Sequence, residues 1–117
     1  MPRVIDAPTR IPVPGGKTID EYVGRARTGT ESVSVAHMVA PPGWEEPAQT
    51  PEFDEITIVL KGTVLVEHEG GVLEVHAGQA VITDAGERIR YASAGAGAEY
   101  VAVCLPAFAP ELVHRED

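Results

Sequence analysis

The chain has 117 residues, 44% of them hydrophobic and 23% charged, which suits one folded domain with a single core and argues against a disordered chain. Its formal net charge is −9, from 18 acidic residues against 9 lysines and arginines. We expect no nucleic-acid partner and no anionic membrane partner, because both are bound through basic surfaces.

The sequence offers few signals of location or of disulfide chemistry. Cys104 is the single cysteine, so an internal disulfide and a cysteine-only metal site are both excluded. No apolar run reaches the roughly 18 residues that a membrane-spanning helix needs. The first residues also lack the apolar stretch of a signal peptide. We therefore expect a cytoplasmic protein.

The first thirty residues differ in composition from the rest of the chain. They contain Pro8, Pro12, Pro14 and the pair Gly15-Gly16, which interrupt regular structure. We predict that residues 1–30 form an N-terminal arm with one short strand. Residues 19–27 are a weak helix candidate, interrupted by a glycine.

From residue 31 onward, short segments rich in valine alternate with turn residues. This alternation is typical of β-strands, and the glycines between the segments are typical of tight turns. The sequence predicts an all-β sandwich or barrel over residues 31–117, in which the tail from Pro106 is extended and packs on the barrel surface. The predicted strands cover residues 32–39, 55–60, 63–68, 72–76, 79–83, 88–92 and 98–105.

Two spaced motifs resemble those of the cupin superfamily. In the first, Gly43 is followed by Gln49-Thr50-Pro51, Glu55 and Gly62. In the second, Gly78 is followed by Asp84-Ala85-Gly86, Ile89 and Ser93. The segment from Pro42 to Glu55 is similar to small ethanolamine-utilisation-like cupins. The resemblance implies a single-domain cupin, a double-stranded β-helix or jelly-roll barrel with a pocket between its two sheets.

The resemblance also identifies where a cupin metal would bind. Metal-binding cupins use two histidines and a glutamate from the first motif and a histidine from the second. Here those places hold Gln49, Pro51, Glu55 and Ile89. Proline and isoleucine offer no side-chain donor, whereas a transition metal needs three or four ligands. We therefore expect no metal at the usual site and no other cofactor.

Three residues are candidates for catalysis. The cupin fold implies that Glu55 points into the barrel mouth, where poor solvation favours its protonated form and makes it a general acid or base. Tyr91 shares the face of Ile89 by strand alternation and is either a pocket acid or a rim tyrosine. His37 shares its face with three valines of its own strand and is either a core histidine or a pocket base.

Four further residues are candidates for substrate binding. Gln49 replaces a metal ligand with an amide that both donates and accepts hydrogen bonds. Trp44 and Phe53 flank an acidic loop and either stack on an aromatic or polyketide-like substrate or staple the loop. Ile89 belongs to this set because it stands at the histidine place of the second motif.

Three functions follow from these residues. The first is a metal-independent enzyme that uses proton transfer by Glu55 in an isomerase, epimerase, cyclase or lyase reaction on a small organic molecule. The second is a non-catalytic small-molecule binder. The third is a metallo-cupin with shifted ligands, such as His37, Gln49 and Glu55. By analogy with cupins of this size, we also expect a homodimer.

Overall fold

The valine-rich segments form β-strands in the computed structural model, which describes residues 1–116. The expected all-β fold is confirmed. The elements in chain order are β1 (Thr9–Ile11), β2 (Thr18–Val23), β3 (Ser34–Ala40), β4 (Asp54–His68), β5 (Gly71–His76), β6 (Ala80–Thr83), β7 (Arg90–Leu105) and the helix α1 (Pro110–Val113).

The strands pair antiparallel in the order β1-β2-β3-β7-β4-β5, and β6 pairs with the first part of β4. β4 and β7 are 15 and 16 residues long, and each contributes to both halves of the sheet. Register shifts between Val59 and Lys61 and between Gly62 and Val64 bend β4. The sheet therefore folds over into two facing layers of a barrel. Each of these long strands appears in the sequence as two predicted segments.

Two glycines allow the close approach of β4 and β7 at the bend. Gly62 and Gly97 have φ values of +75° and +80°, which side chains disfavour. A Cβ atom at Gly62 would lie 2.1 Å from the carbonyl oxygen of Gly97. The predicted strand end at Gly62 is therefore a bend within a continuous strand.

Residues from alternate positions of the strands fill the core between the two layers. Val59, Val64 and Val66 are each 1% exposed. Complete burial of a valine side chain contributes roughly 1.5 kcal/mol or more to folding. The same alternation directs Glu55 and Thr57 inward from the first part of β4, which places polar groups at one end of the barrel.

The N-terminal residues belong to the sheet, which differs from the predicted arm with one strand. β2 pairs with β3 from Thr18↔Val39 to Val23↔Val35, and β1 pairs with β2. The helix predicted over residues 19–27 is wrong, because the open edge of β3 supplies backbone partners that outweigh a weak local preference.

The C-terminal tail closes one end of the barrel. Val113 is buried against Phe53 and Cys104, so the tail packs on the barrel as expected but includes the four-residue helix α1. Within residues 1–116, no helix combines the length and the hydropathy that crossing a membrane requires.

Candidate active site

A cavity of about 250 Å³ opens at the end of the barrel that holds Glu55. Its walls are inward-facing side chains of β2, β3, β4 and β7, together with residues 11–14 before β2 and the segment around α1. An engineered cavity of about 150 Å³ is enough to bind benzene. The cavity therefore has room for a small organic molecule.

Glu55 is the central ionisable group of this cavity. Its side chain is buried, and the Tyr91 hydroxyl donates a hydrogen bond to Oε1 over 3.0 Å. Burial raises the pKa of Glu55 to about 7, although the charge of Lys17 and the Tyr91 hydrogen bond act in the opposite direction. The carboxyl group is therefore close to half ionised at neutral pH.

Tyr91 is held in place from its other side. Its hydroxyl lies 2.9 Å from Oγ1 of Thr83, on β6. Because the single phenol proton goes to Glu55, Thr83 is the donor in this second bond. Burial raises the pKa of Tyr91, so the phenol stays protonated and continues to orient the carboxyl group.

Gln49 lies beside this chain of hydroxyl groups. Its backbone exchanges two hydrogen bonds with Ile89, at 2.8 and 2.9 Å, which fixes the loop before β4 against the start of β7. Its side chain lines the cavity, and its buried Oε1 atom has no hydrogen-bond partner within residues 1–116. A buried acceptor without a donor costs about 1–3 kcal/mol, which a bound molecule with a donor would recover.

Lys17 and Glu46 are site residues that the sequence analysis missed. Nζ of Lys17 lies 4.4 Å from the ring centroid of Trp44 and 3.9 Å from Oε2 of Glu46. Nη2 of Arg115 lies 3.7 Å from the same Glu46 oxygen. Burial lowers the pKa of Lys17 and raises the pKa of Glu46. No local pattern links these residues, because they come from the β1–β2 connection, a loop and the C-terminal segment.

His37 reaches neither the cavity nor the core, the two places that the sequence left open for it. It lies on the outer face of β3, where Nε2 is 2.9 Å from Oε2 of Glu99. The inward face of β3 presents Ser34, Ala36 and Met38 instead. The narrow interior takes the small side chains, so the face with the valines is the outer one.

The four predicted binding residues occupy different places. Gln49 and Phe53 line the cavity. Trp44 and Ile89 do not line it, because both are buried in the main hydrophobic core, with exposures of 6% and 2%. Trp44 still contributes indirectly, since its ring lies beneath the Lys17 ammonium. The stacking role predicted for Trp44 is therefore not supported by its position.

The residues at the usual cupin metal site do not fit a metal. Pro51 and Ile89 have no donor atoms, and the Glu55 carboxyl group is already bonded to Tyr91. Within residues 1–116, no cluster of three or more His, Cys, Asp or Glu side chains is arranged to hold a metal ion. His37, which belonged to the shifted ligand set, lies outside the cavity.

Comparison with known proteins supports the cupin resemblance. The chain is 51% identical over 107 residues to a Myxococcus xanthus protein named endoribonuclease YbeY, and spans about a third of that relative's length (36%). It resembles the solved polyketide cyclase RemF from Streptomyces resistomycificus, with a TM-score of 0.77 and 18% identity, over 100% of this chain and 86% of that one.

A second solved structure shows the same fold. It is a putative ethanolamine utilization protein, EutQ, from Salmonella typhimurium, with a TM-score of 0.67 and 24% identity, over 79% of this chain and 71% of that one. The family model of the cupin domain matches residues 36–105, which include Glu55, Gln49 and Tyr91. The match covers more than half of the chain, and the chain belongs to the cupin family.

Proposed function

We propose that this cupin is an enzyme that moves a proton on a small organic molecule without a metal ion. The observation that carries the proposal is Glu55, a buried carboxyl group in a cavity of about 250 Å³ whose pKa is raised to about 7. A general acid or base works best when its pKa lies near the operating pH. This makes Glu55 the proton-transfer group and the cavity the substrate site.

The reaction class follows from the groups around Glu55. Ionised Glu55 takes a proton from a carbon beside a carbonyl group, and the C–H electron pair moves onto the carbonyl oxygen to give an enolate. Lys17 and the amide of Gln49 line the same cavity and supply N–H donors for that oxygen. Return of the proton to another carbon or face completes an isomerisation or epimerisation.

A cyclase or lyase reaction begins with the same proton abstraction. The neighbour RemF is described as a polyketide cyclase. Ring closure of a carbonyl-containing chain needs one base and polar groups for the carbonyl oxygen, and the cavity provides both kinds of group. Cyclisation of a small carbonyl compound is therefore included in the proposal.

The substitution Glu55→Gln tests the role of the carboxyl group. Small ketones and keto acids incubated in D₂O should exchange their C–H protons in the presence of the wild-type protein, as measured by ¹H NMR. We expect Glu55→Gln to lower that catalysed rate roughly 100-fold or more, since an amide cannot accept the proton. Glu74→Gln, on the exposed face of β5, is the matched control and should not change the rate. Equal rates for Glu55→Gln and wild type contradict the proposal.

Metal independence has its own measurement. Because the usual ligand places hold Pro51 and Ile89, we expect protein purified without chelator to contain less than about 0.1 equivalents of any transition metal after reloading and desalting. Elemental analysis gives this ratio directly. A stoichiometric metal whose removal abolishes exchange would support the metallo-cupin alternative instead.

A further inference from the structure

Lys17 is a buried cation that donates no hydrogen bond from its ammonium to any group within residues 1–116. Its side chain is 8% exposed, and it lines the cavity. Its ion pair with Glu46 is 3.9 Å long, which is beyond hydrogen-bond distance. Its other close neighbours are the ring faces of Trp44 and Tyr100, at 4.4 and 5.5 Å, which stabilise a cation but accept no conventional hydrogen bond.

The acidic groups around Lys17 are each engaged by another partner or able to take up a proton. Glu46 is shared with a second cation, Arg115, whose Nη2 lies 3.7 Å from the same carboxylate oxygen. The other acid acting on Lys17 is Glu55, which is neutral when protonated. Glu21 also lines the cavity, but its Oε2 atom accepts two backbone N–H bonds, at 2.9 Å each, from the turn after β2.

Gln49 indicates a second property of the ligand. Its Oε1 atom is buried at the cavity wall and lacks a hydrogen-bond donor within residues 1–116. An acceptor without a partner within residues 1–116 is satisfied when the amide turns toward the cavity and a ligand brings an O–H or N–H group. The cavity therefore offers a cationic donor and a neutral acceptor to the same small molecule.

We propose that the cavity binds a small organic acid as its anion, with the carboxylate on the ammonium of Lys17 and a hydroxyl or amino donor of the ligand on Oε1 of Gln49. This inference rests on the proposed function in taking the cavity as the substrate site, and it specifies the oxygen that Lys17 contacts there as an oxygen of the ligand's own carboxylate. It assigns the substrate class, a hydroxy or amino acid that fits about 250 Å³, and it makes Lys17 the residue that selects for charge.

Matched pairs of probes test the assignment. The pairs are 2-hydroxybenzoate with 2-hydroxybenzamide, and lactate with lactamide, titrated by calorimetry and by ¹⁵N-¹H NMR. We expect the wild-type protein to bind at least one acid about tenfold or more tightly than its amide, the ratio that one hydrogen bond to a charged group supplies. In Lys17→Met, which keeps a long unbranched side chain, that ratio should fall to about one.

The chain provides its own control, since Lys61 is the other lysine and is exposed on β4. Lys61→Met should leave the acid-to-amide ratio unchanged. Gln49→Leu should lower the affinity for 2-hydroxybenzoate relative to that for benzoate, because it removes the acceptor for the hydroxyl group. If Lys17→Met does not fold, the acid-to-amide affinity ratio of the wild-type protein alone tests the proposal. A ratio of about one, or no binding of either acid at millimolar concentration, overturns the proposal.

The two proposals fail separately. Loss of the acid preference while exchange remains sensitive to Glu55→Gln overturns only the ligand class. Conversely, if the rate of proton exchange is the same in Glu55→Gln as in the wild type while the acid preference remains, only the proton-transfer function is overturned. Glu55→Gln should itself retain the acid preference, because the variant keeps Lys17 and removes a neighbouring negative charge.

Discussion

At the scale of the residue, Glu55 combines burial with one side-chain hydrogen bond within residues 1–116. Its carboxyl group accepts one hydrogen bond from Tyr91, while the ammonium of Lys17 acts on it through charge alone. This support is too weak to offset the loss of solvation, so the ionised form is disfavoured. The same imbalance that suits Glu55 to the proposed proton transfer makes its charged form costly for stability.

That cost predicts a dependence of stability on pH. Because the folded pKa of about 7 exceeds the ordinary value of 4.5, the contribution of Glu55 is greatest below pH 4.5 and is lost as the pH rises through 7. The glutamine side chain in Glu55→Gln does not ionise, so the stability of this variant does not fall in the same pH range. Its free energy of unfolding relative to wild type should therefore rise by about 3 kcal/mol between pH 4.5 and pH 8.

Urea unfolding of both proteins at the two pH values measures this change. Any other titrating groups cancel in the difference between variant and wild type, provided that the substitution leaves them undisturbed. A difference that stays constant would place the pKa of Glu55 near 4.5. It would then favour the non-catalytic binder over the enzyme.

The sequence identifies some of the site residues but not all of them. Glu55 and Gln49 could be found because motif spacing and strand alternation place both in one barrel mouth. His37 was assigned to the wrong face, since alternation shows that a strand has two faces but not which one meets a narrow interior. Lys17 could not be found at all, because its contacts are with segments far away in the sequence.

At the scale of the element, β4 and β7 are long strands that bend at the same level. The bend brings Gly62 and Gly97 into contact, so that each layer of the barrel contains part of each strand. The sequence predicts the strands well, because inward and outward residues alternate. It does not predict their continuity, since glycines within a bent strand resemble the glycines of turns.

Substitution at this crossing should therefore be far more costly than at an ordinary turn. Gly62→Ala introduces a Cβ atom 2.1 Å from a backbone oxygen, and we expect a loss of more than about 4 kcal/mol or failure to fold. Gly78→Ala is the matched control, because φ is +86° there and a Cβ atom meets nothing within 4 Å. It should cost about 1–2 kcal/mol.

Thermal and urea unfolding of the two variants separate backbone conformation from steric contact. Equal losses for Gly62→Ala and Gly78→Ala would show that positive φ alone accounts for the effect. The close approach of β4 to β7 would then not be needed for the bend.

At the scale of the whole molecule, the outer face of the sheet is unusually apolar for a surface. Ile82 is 68% exposed on β6, and it lies beside Ile56 of β4 in the pairing register. Contiguous apolar patches of this kind are commonly covered by a protein partner. Other exposed apolar side chains on the same face are Val39, Ile58, Leu60 and Leu105.

We expect a second copy of the chain to cover this face. The homodimer should appear in light scattering after size-exclusion chromatography, and Ile82→Glu should shift it to the monomer because a buried unpaired charge is costly. Val72→Glu is the control, since Val72 is 57% exposed on the β5 hairpin, away from this face. A wild-type monomer at micromolar concentration contradicts the expectation.

The walls of the cavity come from both ends of the chain as well as from the barrel. The family match spans residues 36–105, yet Lys17 lies before it and Arg115 after it. Under the proposed ligand class, the residue that selects for charge therefore lies outside the family match, whereas Glu55 lies inside it. A substitution at Lys17 would then change which ligands the protein binds while the segment that identifies its family stays the same.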